Sequence, residues 1–168
     1  VSSKDKGEIY LTLPNGSIGN GIRFNQQGDM FIADYVNHNI LKYSNQSKKI
    51  SVHAHNAQMN QPNDIAIMDN GVLFASDPNW AESNGNLWRI NADGSTTLIE
   101  KGMGTTNGVE VSPDNKTLYV NESVQRNVWR YDLDEKGNAT NKQLFHKFDD
   151  HGMDGMRTDK LGNVYVAR

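Results

Sequence analysis

Four polar residues recur at nearly constant spacing along this 168-residue chain, and all of them carry oxygen donors. They are Asn20, Asn63, Asn107 and Asp154, separated by 43, 44 and 47 residues. Amide and carboxylate oxygens brought to one point would suit a hard cation such as Ca²⁺, Mg²⁺ or Mn²⁺. The alternative is that they begin strands as turn residues and bond only to nearby backbone groups. The choice depends on whether the fold brings the four positions together.

Each of these residues opens the same pattern of short apolar runs and polar turns. The turns after the first runs read NQQGD, MDNG, SPDNKT and DKLGN, and a second run follows each turn. A third run repeats at residues 40–43, 87–90 and 128–131, and a weaker fourth run precedes the next repeat. Because the runs are β-branched or aromatic and lack a sustained 3.6-residue period, they predict strands and no helix.

The period of the repeat predicts an all-β fold, a β-propeller of four-stranded blades. Four short strands in about 45 residues are typical of one blade, whereas a generic β-sandwich does not predict a repeat of this length. The chain would then be a single partial propeller domain, 1–168, with about three whole blades and pieces of two others. Its predicted parts are the end of a preceding blade at 1–19, whole blades at 20–62, 63–106 and 107–153, and the first two strands of a further blade at 154–168.

Composition excludes several classes of function. The chain has no cysteine, which removes disulfides, thiolate metal sites and cysteine nucleophiles. A net charge of −3 leaves no basic surplus for phosphates, so we expect no nucleic-acid partner. No apolar run reaches the ~18 residues of a membrane span, so we expect no membrane partner and a soluble protein. The compartment stays open between cytoplasm, periplasm and secretion.

Three ordered segments carry a family resemblance. Residues 61–67 read QPNDIAI, followed at 71–78 by GVLFASDP. Further along, TNGV is followed by SPD and LYV, and MDGM is followed by GNVYVA. In this order they resemble the PND, NG and DG motifs of the senescence marker protein, regucalcin and gluconolactonase family. The resemblance extends over nearly the whole chain.

The resemblance implies a six-bladed propeller that holds one divalent cation in its central channel. Its ligands would include Asn63, Asn107 and Asp154, and the ion would be Ca²⁺ first, with Zn²⁺, Mn²⁺ or Mg²⁺ as alternatives. The family's first-blade glutamate would precede Val1, and Asn20 is not a usual ligand of the family. A ring of this kind would need further segments or a second chain to close.

The resemblance also implies a reaction, the metal-assisted hydrolysis of a lactone or related ester. Asp154 would act as general base or orient the water, and Asn63, Gln61 and Trp80 would contact the substrate. Animal members of the family carry an arginine where Gln61 stands, so the identity of the lactone stays open.

A second function class is a binding module without catalysis. Residues 31–40 read FIADYVNHNI and resemble the VADxxNHRI pattern of NHL repeats. The chain would then be a scaffolding propeller or an inactive fragment that lacks the first metal ligand, and whether it is an enzyme stays open.

Three acidic residues occupy the same position in successive repeats, at the end of the second apolar run of each repeat. They are Asp34, Asp77 and Glu122. We expect them to be mostly solvated acids at the blade edge, with Asp77 the candidate for a role behind the metal ligands.

Overall fold

The computed structural model describes residues 7–168, and these form antiparallel sheets without a helix. The first four-stranded sheet contains β1 (Gly19–Phe24), β2 (Met30–Asp34), β3 (Asn39–Tyr43) and β4 (Ile50–His55). The second contains β5 (Ile65–Ile67), β6 (Leu73–Asn79), β7 (Asn84–Ile90) and β8 (Thr96–Met103). The third contains β9 (Thr106–Val111), β10 (Thr117–Glu122), β11 (Asn127–Leu133) and β12 (Ala139–Lys147), and a two-stranded sheet contains β13 (Met156–Thr158) and β14 (Val164–Val166).

Within each sheet, consecutive strands are neighbours, as short turns between antiparallel strands require. The sheets stack face to face in chain order, and the core lies between their faces. Phe31 and Ile40 of the first sheet pack with Trp88 of the second, and Phe74 of the second packs in the cluster that contains Val120 of the third. The fold is therefore a partial β-propeller, and the predictions of an all-β chain, four-stranded sheets and no helix are confirmed for residues 7–168.

The segment before β1 differs from its expected structure. Residues 8–13, predicted as a strand of a preceding blade, form no strand, because no neighbouring strand pairs with them among the described residues. Leu11 and Leu13 instead cover Ile32 and Leu41 on the outer face of the first sheet. The part of this predicted blade that falls on residues 1–6 lies outside the described residues. The divisions at residues 20, 63, 107 and 154 stay a prediction.

The innermost strands, β1, β5, β9 and β13, adjoin one another at equivalent positions. The Gly21 N–H donates to the Asn63 carbonyl at 2.8 Å, and Asn107 Nδ2 donates to the Met153 carbonyl at 3.2 Å. These contacts bring the starts of the four innermost strands to one end of the stack. Within residues 7–168, no helix has the length and apolar character that a membrane crossing needs.

Candidate metal and substrate site

The four repeated polar residues meet in one pocket at this end of the stack. Asn20, Asn63, Asn107 and Asp154 all line an open cavity of about 650 Å³. Trp80, which follows β6, lines the same cavity and is 40% exposed. The sequence showed that these four polar residues recur at equivalent positions of the repeat, and the fold brings them together in space.

Asn107 has a fixed side-chain amide. It lies in β9, is only 6% exposed, and uses its Nδ2 to donate to the Met153 carbonyl. Its Oδ1 accepts no hydrogen bond from the residues described here, so the oxygen is left free to bind a cation or a substrate group.

Main-chain hydrogen bonds hold the starts of the second and fourth innermost strands. The Asn63 N–H donates to the Ser76 carbonyl at 2.9 Å, and the Asp154 N–H donates to the Ala167 carbonyl at 2.9 Å. The buried Asn121 amide donates to the Asp154 carbonyl at 2.7 Å. The Asp154 side chain is exposed to the pocket, and within residues 7–168 its carboxylate takes part in no hydrogen bond.

Asn20 and Asn107 share an Asn–Gly pair and the same irregularity in strand register. The β1–β2 ladder shifts between Gly19 and Ile22, and the β9–β10 ladder has its shift at the stretch that contains Asn107. A bulge of this kind re-aims the side chain next to it. The glycine then lets the following innermost strand approach, because a Cβ on Gly108 would lie 2.5 Å from the Asp154 carbonyl oxygen.

A Gly108→Ala substitution is expected to destabilise the protein by about 1–3 kcal/mol, because the added methyl meets the backbone of Asp154. It should also displace Asp154 and weaken any ligand bound in the pocket. Urea unfolding measures the first effect. The matched control is Gly155→Ala, where a Cβ meets nothing within 4 Å and the change should cost less than about 0.5 kcal/mol. Equal stability of the two variants would contradict the close approach.

The three acids at the ends of β2, β6 and β10 are not solvated, so that expectation is wrong. Asp34 and Asp77 are fully buried and Glu122 is 5% exposed. Each acid binds the segment that leads into the innermost strand of its own sheet. The bonds are Ser17 Oγ to Asp34 at 2.8 Å, the Asn60 N–H to Asp77 at 2.7 Å and the Gly104 N–H to Glu122 at 2.9 Å. Burial is tolerated because each carboxylate accepts several hydrogen bonds.

Gln61 is not brought into the pocket with the other predicted residues. Its main-chain N–H donates to Asp77 Oδ1 at 2.6 Å, and it is absent from the lining of the cavity. The anchor at Asp77 holds this segment beside β6, two residues before Asn63.

A charged network inside the stack was missed by sequence reasoning. Arg23 Nη1 lies 3.3 Å from Asp64 Oδ1, and Arg23 Nη2 lies 3.2 Å from Glu110 Oε2. Arg157 reaches the same Glu110 oxygen at 3.7 Å. Burial raises the pKa of Glu110, against the opposing effect of the Arg23 and Arg157 guanidinium groups. One signal in the sequence could have revealed the network, the position of its members within the repeat. Three of them stand three residues after a pocket residue: Arg23, Glu110 and Arg157.

The donor set of the pocket fits a hard divalent cation. It comprises the two amide oxygens of Asn63 and Asn107 and the carboxylate of Asp154, all oxygen donors of the kind that Ca²⁺ prefers. In residues 7–168, no three His, Cys, Asp or Glu side chains converge in a way that could hold a metal. The candidate metal ligands are therefore two neutral amide oxygens and one negatively charged carboxylate.

The fold and the pocket define a β-propeller with a polar pocket where its innermost strands begin. Residues 3–168 match the SMP-30/Gluconolactonase/LRE-like region model, and the chain belongs to that family.

One sequence relative agrees with the family assignment, and two solved structures share the fold. The chain is 30% identical to a gluconolactonase of Zymomonas mobilis, over 88% of this chain and 48% of that protein. It superposes on the calcium-binding protein regucalcin of Agrobacterium tumefaciens with a TM-score of 0.76, at 19% identity, over 91% of this chain and 54% of that one. A chain of a nidogen–laminin complex superposes with a TM-score of 0.75, at 16% identity, over 90% and 56%. The chain thus spans about half the length of the relatives it matches.

Proposed function

We propose that this chain carries most of the site of a divalent-metal-dependent lactonase, which opens a lactone or related ester by attack of water. The observation that supports the proposal most directly is the convergence of Asn63, Asn107 and Asp154 on one pocket. The lactone chemistry is taken from the relative that is a gluconolactonase.

A bound divalent cation would supply Lewis-acid activation of the lactone carbonyl and stabilise the negative charge that develops on its oxygen. We propose Ca²⁺ first among the candidate ions, because the donors are all hard oxygens. Asn107 would offer Oδ1 as a ligand, since its Nδ2 is already engaged by the Met153 carbonyl. Asn63 and Asp154 would complete the donors that this chain contributes.

Asp154 would act as the general base. Its carboxylate lines the pocket and is free of hydrogen bonds with the described residues, so it can accept a proton from water. The water oxygen bonds to the carbonyl carbon and the ring C–O bond breaks. The proton taken by Asp154 passes to the departing alkoxide, which gives the open hydroxy acid. Trp80 would cover one side of the lactone ring.

The second candidate is a binding propeller without catalysis. The likeness to a chain of a nidogen–laminin complex favours it, because the same fold there belongs to a protein assembly. Metal binding and lactone hydrolysis separate the two candidates.

Calorimetric titration with Ca²⁺, Mn²⁺ and Zn²⁺ is expected to give one site per chain, and a panel of lactones is expected to give hydrolysis that chelator abolishes. A titration with NaCl at matched ionic strength is the control for heats of dilution and screening. If the metal titration shows no binding and no lactone of the panel is hydrolysed, the results would favour the binding module.

A further inference from the structure

Asn20 is the member of the repeated polar set to which the proposed mechanism gives no role. It lines the same cavity as Asn63, Asn107 and Asp154. Two features of the backbone place Asn20 in the cavity. One is the bulge at an Asn–Gly pair, which Asn107 shares, and the other is the hydrogen bond from the Gly21 N–H to the Asn63 carbonyl. A Cβ on Gly21 would lie 2.7 Å from the Asp64 Cα, so the absence of a side chain there keeps Asn20 close to the second sheet.

The two bulged asparagines differ in what holds their amides. Asn107 is buried and its Nδ2 is bound to the Met153 carbonyl, which leaves one oxygen as a fixed acceptor. Asn20 is exposed to the cavity, and its amide forms no hydrogen bond with any residue from 7 to 168. A cation needs only acceptors, whereas an unheld amide offers two donor hydrogens as well as an acceptor.

A hydroxyl group matches an amide that can both donate and accept. Trp80 lies in the same cavity and presents an aromatic surface that is 40% exposed. An aromatic surface with free amide groups beside it suits a ring that has apolar faces and a polar edge. A polyhydroxylated ring carries groups along its edge that both donate and accept hydrogen bonds, whereas a lactone without hydroxyls has only the acceptor oxygens of its ester group.

We propose that Asn20 is a specificity-determining residue that binds hydroxyl groups of a polyhydroxylated lactone and does not bind the cation. The proposal rests on the proposed function for its substrate class. It assigns substrate contact to the first sheet, whereas the proposed metal donors come from the segment before β5, from β9 and from the segment before β13.

The test compares two non-hydrolysable probes, D-glucono-1,5-lactam and the unsubstituted 2-piperidone, by calorimetry in the presence of Ca²⁺. Wild-type protein is expected to bind the hydroxylated lactam more tightly. Asn20→Ala should weaken that lactam by about 3–10-fold, the range of one net hydrogen bond, and leave 2-piperidone unchanged. Asn20→Ser keeps a group that donates and accepts, so it should recover part of the loss.

The control is Gln26→Ala, which removes an exposed amide from the turn after β1, at the other end of that strand. It should bind both probes like wild type. Thermal unfolding of each variant checks that the fold is retained, which is expected because Asn20 is exposed. Equal binding of the two probes by wild type, absence of lactam binding, or an unchanged profile in Asn20→Ala would overturn the proposal.

Hydrolysis measured in parallel keeps this proposal separate from the proposed function. With active protein, Asn20→Ala should raise KM for a hydroxylated lactone and leave kcat nearly unchanged, because the amide contacts parts of the substrate that do not react. Hydrolysis that is absent in every protein, with lactam selectivity present and lost in Asn20→Ala, would refute the lactonase and retain the role of Asn20.

Discussion

We expect the proposed lactone hydrolysis to fall by about 10²–10⁴-fold in an Asp154→Ala variant, which is the range for removal of a general base. In the proposed mechanism Asp154 also provides the one charged donor among the predicted ligands, so divalent-ion binding should weaken in the same variant. Asp154→Asn keeps the shape of the side chain and removes its charge, and it should lose nearly as much activity. Steady-state kinetics of lactone hydrolysis measure the effect on turnover, and calorimetric titration with the divalent ion measures the effect on ion binding.

The control for Asp154 is Asp149→Ala, because Asp149 is also an exposed acid and lies five residues earlier, outside the pocket lining. It should keep wild-type turnover and ion affinity. Both variants should unfold at nearly the wild-type urea concentration, since neither carboxylate is buried. Near-normal turnover in Asp154→Ala would sink the assignment of Asp154 as the base.

The largest expected effect on stability follows the removal of Arg23. Its guanidinium lies between Asp64 and Glu110, at 3.3 and 3.2 Å, and the three side chains are only 10–14% exposed. Arg23 also donates to the Val109 carbonyl at 3.2 Å, so it links β1 to both β5 and β9. Arg23→Met would leave the buried Asp64 and the partly buried Glu110 without this partner, and we expect a loss of about 3–5 kcal/mol in the free energy of unfolding.

Arg130→Met is the matched control for Arg23→Met. The Arg130–Asp132 pair is 3.9 Å apart, and its two side chains are 41% and 49% exposed. Solvent screening should reduce the contribution of such a pair to less than about 1 kcal/mol. Urea unfolding of both variants gives the comparison. A loss below about 1 kcal/mol for Arg23→Met would mean that the network does not hold the three sheets together.

The repeat explains why so much of the fold could be predicted. Strand runs such as 30–34 and 118–120 are β-branched and apolar, and the turns between them carry Asn, Asp and Gly at the places where the chain reverses. Both signals are local, because they depend on residues within a few positions of one another. Residues 8–13 show the limit, since an apolar run forms a strand only where a partner strand is available.

The pocket residues could be predicted because they occupy the same position in each repeat. Asn20, Asn63, Asn107 and Asp154 begin equivalent repeats, and equivalent positions of a propeller meet around its axis. Trp80 follows a strand end and also lines the cavity, whereas Gln61 does not, because Asp77 binds its main chain. The direction of a side chain near a loop depends on such an anchor, which sequence spacing does not reveal.

The sequence by itself therefore determined the type of the strands, their repeat and the set of polar residues that the repeat aligns. Only the tertiary structure decided that Asp77 is buried and not solvated, and that Arg23 joins Asp64 to Glu110. It also distinguished the held amide of Asn107 from the unheld amide of Asn20. The physical reason is that burial and ion pairing depend on which groups from distant segments meet, and those meetings exist only once the sheets have stacked.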